Sequence, residues 1–175
     1  LLMSAIQEDN LVVFSEDKTL LGQKGNVPEE PYTIEIGKAN VTREGDDLTI
    51  VAIGKMVAVA EETAEKLAED QVSVEFIDLR SVSPWDQETV LDSVKKTGRL
   101  IVIDESNPQC NIAGDVASVI GDVGFDYLDG PIKKVTAPDT PVPFAANLEA
   151  AYMPNTDKVL DIASELIDDL KKANA

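Results

Sequence analysis

From Asp46 onward, short continuous apolar runs alternate with longer segments whose apolar residues recur every three or four positions. That alternation constrains the fold most. The runs DDLTIVAIG, VSVEFIDL and RLIVIDE read as strands without polar alternation, so both of their faces must be covered. The segments between them carry a helical period: Met56, Val57, Ala60, Ala64 and Leu67 lie on one helix face, and Val90, Leu91 and Val94 on another. Strand–helix–strand order implies parallel crossovers with helices on both sheet faces. The expectation is an α/β domain, a three-layer α/β/α arrangement around a mixed, mostly parallel five-stranded sheet. An early segment near YTIEIGKANVTREG supplies its antiparallel edge.

The remaining elements follow the same logic. Ser83-Pro84-Trp85-Asp86 predicts a helix start, with Ser83 as cap and Asp86 reaching back. Lys95 and Lys96 suit the negative end of that helix, and Gly98 its C-terminal cap. A helix from Asn111 to Asp122 turns Ile112, Val116, Val119 and Ile120 inward, and PIKKVTAP gives a further strand. A helical turn surrounds Leu148. A last helix from about Asn155 to Lys171 carries the stripe Val159, Leu160, Ile162, Ala163, Leu166, Ile167 and Leu170. Residues 1–14 read as a helix end followed by a strand at Leu11–Phe14, and residues 15–32 as a polar, Gly- and Pro-containing linker. The expected α/β domain is therefore 33–175, with residues 1–32 ahead of it ending in a loop or interdomain linker.

Charge and composition exclude several functions. The net charge of −18 repels phosphates, so nucleic acid is not an expected partner, whereas a basic protein surface would be drawn in. No apolar run is long enough to span a bilayer. Histidine is absent and Cys110 is the sole cysteine, which removes Ser-His-Asp and Cys-His chemistry, an internal disulfide and cysteine zinc cages. A single cysteine fits a cytoplasmic setting.

Strand ends are where α/β proteins place ligands. Asp78 and Arg80 end one strand, and Asp104 and Glu105 another. Asp78 and Arg80 admit a structural reading, in which the guanidinium pairs with Asp78 or Asp86 and orders a loop. A receiver-type phosphorylation site would need an acidic pair after the first strand, where VAIGKMVAV has none. The Gly54-Lys55-Met56 turn matches no phosphate loop. Asn111 to Gly114 can either offer helix amides to an anion or cap its own helix. Cys110, before a helix, has no base near it in sequence. Trp85 suits packing or an interface.

Several stretches together resemble the β subunit of thiamine-diphosphate-dependent 2-oxo acid and acetoin dehydrogenases, specifically its transketolase-type C-terminal domain. They are VEFIDLRSVSPWDQETVLDSVKKTGRLIVIDE and FDYLDGPIKKVTAPDTPVPFAANLEAAYMPN. DESNPQC at 104–110 is most similar to the acetoin branch; pyruvate and branched-chain 2-oxo acid dehydrogenases are the alternatives, and a non-catalytic docking module is an alternative of another class. The resemblance implies a bacterial, cytoplasmic α2β2 enzyme using thiamine diphosphate and Mg²⁺ and passing an acyl group to lipoamide. It implies that residues 1–32 are the C-terminal remnant of a pyrimidine-binding domain plus the interdomain loop, ahead of the transketolase C-terminal-like domain at 33–175, and that the activating glutamate and the diphosphate motif lie outside this chain, so that this part is inactive and binds no cofactor alone. Implied partners are an α subunit, a second β subunit, and the acyltransferase component through its basic peripheral subunit-binding domain. The segment Ser4 to Asn10 resembles a family potassium site, with Ala5, Ile6, Glu8 and Asn10 as ligands, mostly through carbonyls. Glu8 stands where Asp is usual, the rest of that site lies elsewhere, and it is expected to be empty here. Asp17 stands where acetoin-type relatives often have His. Asp78, Arg80 and Trp85 are expected at the sheet edge and subunit contacts rather than in chemistry.

Overall fold

The computed structural model describes residues 1–173 in backbone and 1–167 in side chain. A short helix α1 (Leu2–Gln7) precedes a long irregular segment with one 3₁₀ turn (Leu20–Gly22). Then come β1 (Asn40–Arg43), β2 (Leu48–Ala52), α2 (Met56–Glu69), β3 (Val74–Asp78), α3 (Gln87–Thr97) and β4 (Leu100–Ile103). The chain closes with α4 (Ile112–Val123), β5 (Lys133–Val135), α5 (Ala146–Tyr152) and α6 (Thr156–Ala173).

The sheet runs β1-β3-β2-β4-β5, with β1 antiparallel to β3 and every other pair parallel. The layered α/β expectation holds, and the early segment is indeed the antiparallel edge. Two-residue alternation splits each central strand between two cores. Leu48, Ile50, Ala52, Val74, Phe76, Ile101 and Ile103 face α2 and α6. Val51, Ile77, Leu100 and Val102 face α3 and α4. Each fully buried large side chain contributes roughly 1.5–3 kcal/mol. The α6 stripe packs as expected through Val159, Ala163 and Leu166; Leu170 lies outside the described side chains.

The α3 face also buries polar groups, each with a partner. The Thr49 hydroxyl lies 2.7 Å from both the Ser93 and Thr97 hydroxyls, tying β2 to two turns of α3. Glu75, mid-strand in β3 and only 4% exposed, pairs with Lys96 of α3 and accepts the Gly45 N–H at 3.4 Å. Burial pushes the Glu75 carboxyl up, but its hydrogen bonds to Lys96, Ser93, Glu44 and Gly45 outweigh that and hold it below the usual range.

Two local expectations are corrected. Leu11–Phe14 forms no strand: among the described residues nothing pairs with it, and Leu11 and Val13 are 96% and 88% exposed. An apolar run becomes a strand only beside another strand's free edge. Helix α3 starts three residues later than Ser83 suggests. Its cap is Asp86, whose Oδ1 accepts the Thr89 N–H at 3.2 Å and whose Oδ2 accepts the Thr89 hydroxyl at 2.8 Å. Asp86 Oδ2 also accepts the Ala39 N–H at 3.1 Å, which joins α3 to the approach of β1. At the other end Gly98 takes φ 69°, the left-handed conformation a glycine cap allows, and its N–H returns to the Val94 carbonyl.

Two stability outcomes follow. Ile101→Ala, in the core under α6, should cost about 2–5 kcal/mol in chemical denaturation. Asp86→Ala should cost about 1–2 kcal/mol at neutral pH. Burial raises the Asp86 pKa, but the Thr89 and Ala39 hydrogen bonds and Lys38 bring it below its ordinary value. A carboxyl lowered on folding stabilises the fold above its unfolded pKa and loses that contribution as pH falls through the folded value. Denaturation curves of the two proteins should therefore converge on acidification, and a gap that persists in acid would argue against this role.

Candidate functional site at the strand ends

The connection from β2 leads through α2 to β3 on one side, while β4 leads through α4 to β5 on the other. The carboxyl ends of β2 and β4 therefore flank the point where the winding reverses, the favoured ligand position in such sheets. Gly54, at φ 58°, and Lys55 leave β2 there, and Asp104 and Glu105 leave β4.

Asp104 is spent on its own loop. It is 2% exposed; its Oδ1 accepts the Ser106 N–H at 2.9 Å and its Oδ2 the Ala113 N–H at 3.3 Å. Asn111 caps α4, its Oδ1 accepting the Gly114 N–H at 2.7 Å while its amide donates to the Asn107 carbonyl at 2.6 Å. Of the two sequence readings of this helix start, the structure shows the self-capped one. Cys110 is exposed and stands just before the cap at φ 51°.

Glu105 faces the irregular N-terminal segment. Burial pushes its carboxyl up, Asp17 and Asp104 push the same way, and Lys55 opposes them. Asp17 itself is held low by the Thr19 hydroxyl and N–H, with desolvation opposing and Lys55 assisting. Beside it, Leu20 and Gln23 close over Gly54, Val57, Ala58, Glu61 and Asp78 to leave a cavity of about 320 Å³. Residues 17–23 thus reach across the strand ends, a placement that their lack of periodicity concealed.

At the end of β3, Asp78 Oδ1 accepts the Arg80 N–H at 3.1 Å, and Oδ2 lies 3.9 Å from Arg80 Nε. Arg80 adopts φ 59°, and the Leu79 between them is buried with its N–H on the Ala52 carbonyl. Burial pushes the Asp78 carboxyl above its usual range, against the Arg80 contacts. Arg80 pairs with Asp78 and not with Asp86, which Lys38 approaches at 3.7 Å. Trp85 is half-buried against the α3–α4 core.

Ala5 and Ile6 lie in the last turn of α1, whose final carbonyls have no helical partner. Asn10 Nδ2 donates to Glu8 Oε1 at 2.8 Å just beyond. The four predicted ligands are thus neighbours at one helix end. Ser4, on the same helix, accepts the Ile34 N–H at 3.0 Å and so ties α1 to the approach of β1. Among the described residues no cluster of three or more His, Cys, Asp or Glu side chains is arranged to hold a metal. No described helix is long and apolar enough to cross a membrane.

The strand ends fit a diphosphate poorly. Such a group needs free amides or cations. Here the α4 amides meet Asn111 and Asp104, Arg80 is engaged by Asp78, and Lys55 is within electrostatic reach of both Asp17 and Glu105.

Comparison with known proteins matches this architecture. The chain is 50% identical over 167 residues to the β subunit of acetoin:2,6-dichlorophenolindophenol oxidoreductase from Bacillus subtilis, covering 95% of this chain and 49% of that protein. It is 44% identical over 169 residues to the pyruvate dehydrogenase E1 component β subunit of the same organism, covering 96% of this chain and 52% of that one. The chain thus spans about half the length of these relatives. A split-gene transketolase, solved as an inactive β4 tetramer, superposes with a TM-score of 0.65 at 26% identity over 78% of this chain and 44% of the other. The profile described as "Transketolase, C-terminal domain" matches residues 37–159. This chain belongs to the transketolase C-terminal domain family.

Proposed function

We propose that this chain is the C-terminal part of the β subunit of a thiamine-diphosphate-dependent acetoin dehydrogenase. The observation that carries this reading is 50% identity to an acetoin oxidoreductase β subunit across 95% of the chain. Pyruvate dehydrogenase is the second reading, favoured by 44% identity to an E1 β subunit over a similar span. In either enzyme thiamine diphosphate, with Mg²⁺, supplies the carbanion chemistry.

The role assigned to this domain is assembly and docking. Its strand ends are acidic and self-engaged, so the cofactor is held by other segments of the enzyme. The α subunit, a second β subunit and the basic peripheral subunit-binding domain of an acyltransferase are the proposed partners. The acidic surface favours the last of these by electrostatic steering. Asp78 and Arg80 shape the loop after β3 and, with Trp85, serve contacts between subunits. Ala5, Ile6, Glu8 and Asn10 form part of a monovalent-cation site completed by oxygens from outside this chain. Location in a bacterial cytoplasm belongs to the same reading.

Two measurements test the proposal. Calorimetric titration of this chain with thiamine diphosphate and Mg²⁺ should give no saturable heat, and micromolar affinity would overturn the division of labour. An enzyme assembled from the full-length β subunit and its α subunit should reduce dichlorophenolindophenol faster with acetoin than with pyruvate. The opposite preference would move the chain to the pyruvate branch.

A further inference from the structure

We propose that residues 17–23 form a hinged strap that seals the cavity over the strand ends when the carboxylates beneath it take up protons, and lifts when they are charged. The strap is built into the fold and does not depend on which dehydrogenase the chain serves.

The chain between Ser4 and Ile34 is an excursion closed at its base. The Ser4 hydroxyl donates to the Ile34 carbonyl and accepts the Ile34 N–H at 3.0 Å. From Val13 to Thr33 only Asp17 and Leu20 are half-buried, and every other residue is exposed. Among the described residues no hydrogen bond joins 11–33 to the rest of the chain. The hold on the strand ends is therefore concentrated at Asp17 and Leu20. A segment with so few buried contacts and no backbone ties opens at little cost in free energy.

The head of the strap moves as a unit. Asp17 Oδ1 accepts both the Thr19 N–H and the Thr19 hydroxyl at 2.7 Å. The Leu20 N–H donates to the Asp17 carbonyl at 3.1 Å, and the Gln23 N–H to the Leu20 carbonyl at 3.0 Å. These bonds are internal, so lifting the head breaks none of them. On its far side an added Cβ at Gly22 or Gly25 would meet nothing within 4 Å, which leaves the backbone room to turn. Beneath the head, Leu20 and Gln23 roof the cavity of about 320 Å³ over Gly54, Val57, Ala58, Glu61 and Asp78.

Charge sets the direction of the movement. Asp78, with Arg80 beside it, and Glu61 of α2 line the cavity. Lys55 follows β2, Asp104 and Glu105 follow β4, and Asp17 comes from the strap, where its neighbours Glu16 and Lys18 are exposed. Burial pushes the Asp78 carboxyl up against its Arg80 contacts; burial, Asp17 and Asp104 push Glu105 up against Lys55. Lifting the strap returns both carboxyls to water, so the closed form binds protons more tightly than the open one. Closure therefore strengthens as pH falls from neutral toward the ordinary carboxylate range. Asp17 is held low, first by Thr19, and keeps its charge and its attraction to Lys55 through that window.

The test places a nitroxide on Cys110, the sole cysteine, which is exposed and lies between β4 and α4 at the same end of the sheet. Paramagnetic broadening of the Thr19 to Gln23 amides then reports the position of the strap in the whole chain. Lowering the pH from about 7.5 to about 5 should increase that broadening at least about twofold. Glu105→Gln, at an exposed position, should raise the broadening at the higher pH and shrink the response, and adding Asp78→Asn should abolish the response. Leu20→Ser should remove the broadening at both pH values while the amides of β2 and β4 stay unshifted. Broadening equal at the two pH values, broadening that falls on acidification, a full response in Glu105→Gln, or a strap that Leu20→Ser leaves in place would each overturn the proposal. Asp78→Asn also touches the Arg80 turn, so the wild-type titration and Glu105→Gln decide without it.

Discussion

Strands β2 and β4 are buried on both faces, and most of the architecture depends on that. Leu48, Ile50 and Ala52 press against α2 and α6, while Val51 between them presses against α3. Such a strand is stable only between two helical layers, since removing either layer returns half its apolar surface to water. The final helix α6 is therefore part of the core, closing it through Val159, Ala163 and Leu166.

In the central strands, polar residues enter the α3–α4 side of the interior where α3 answers them. Thr49 meets two hydroxyls, and Glu75 meets Lys96. Unpaired, each would cost more than an apolar substitute, so their partners are as much a requirement of the fold as the apolar contacts. The same accounting empties the strand ends of spare donors. Asp104 takes the amides around it, Asn111 caps α4, and Asp78 engages Arg80. What remains at the point where the winding reverses is Lys55 with Asp17 and Glu105, a net negative charge. Apolar side chains such as Phe125, Val142, Phe144 and Leu148 stand exposed elsewhere on the surface.

Much of the fold was legible because period and burial are local signals. The continuous runs in β2, β3 and β4 announced two-sided burial, and Lys95, Lys96 and Gly98 announced the end of α3. Leu11–Phe14 misled because its apolar run matched a strand while the pairing edge it needs is not a property of the run. Ser83 misled because two acceptable caps stood three residues apart. Asp86 prevails by also receiving Ala39, a residue 47 positions away. At the candidate sites the pairing of Asp78 with Arg80 was readable from their spacing. The closing of Leu20 and Gln23 over Gly54 and Asp78 was not, because that segment carries no period. The charge within VEFID was a comparable signal: an acid in a buried strand demands a cation, and Lys96 supplies it.

By itself the sequence determined the order and type of the elements from residue 40 onward, the net acidity, the lack of histidine chemistry and the family resemblance. These depend on residue identity and on spacing within one element. The tertiary structure alone decided the sheet order, the cap of α3 and the passage of residues 17–23 over the strand ends. Each of these is a choice among distant partners. It is settled by which donors, acceptors and apolar surfaces come within a few ångströms of one another, and the linear order of residues does not record that.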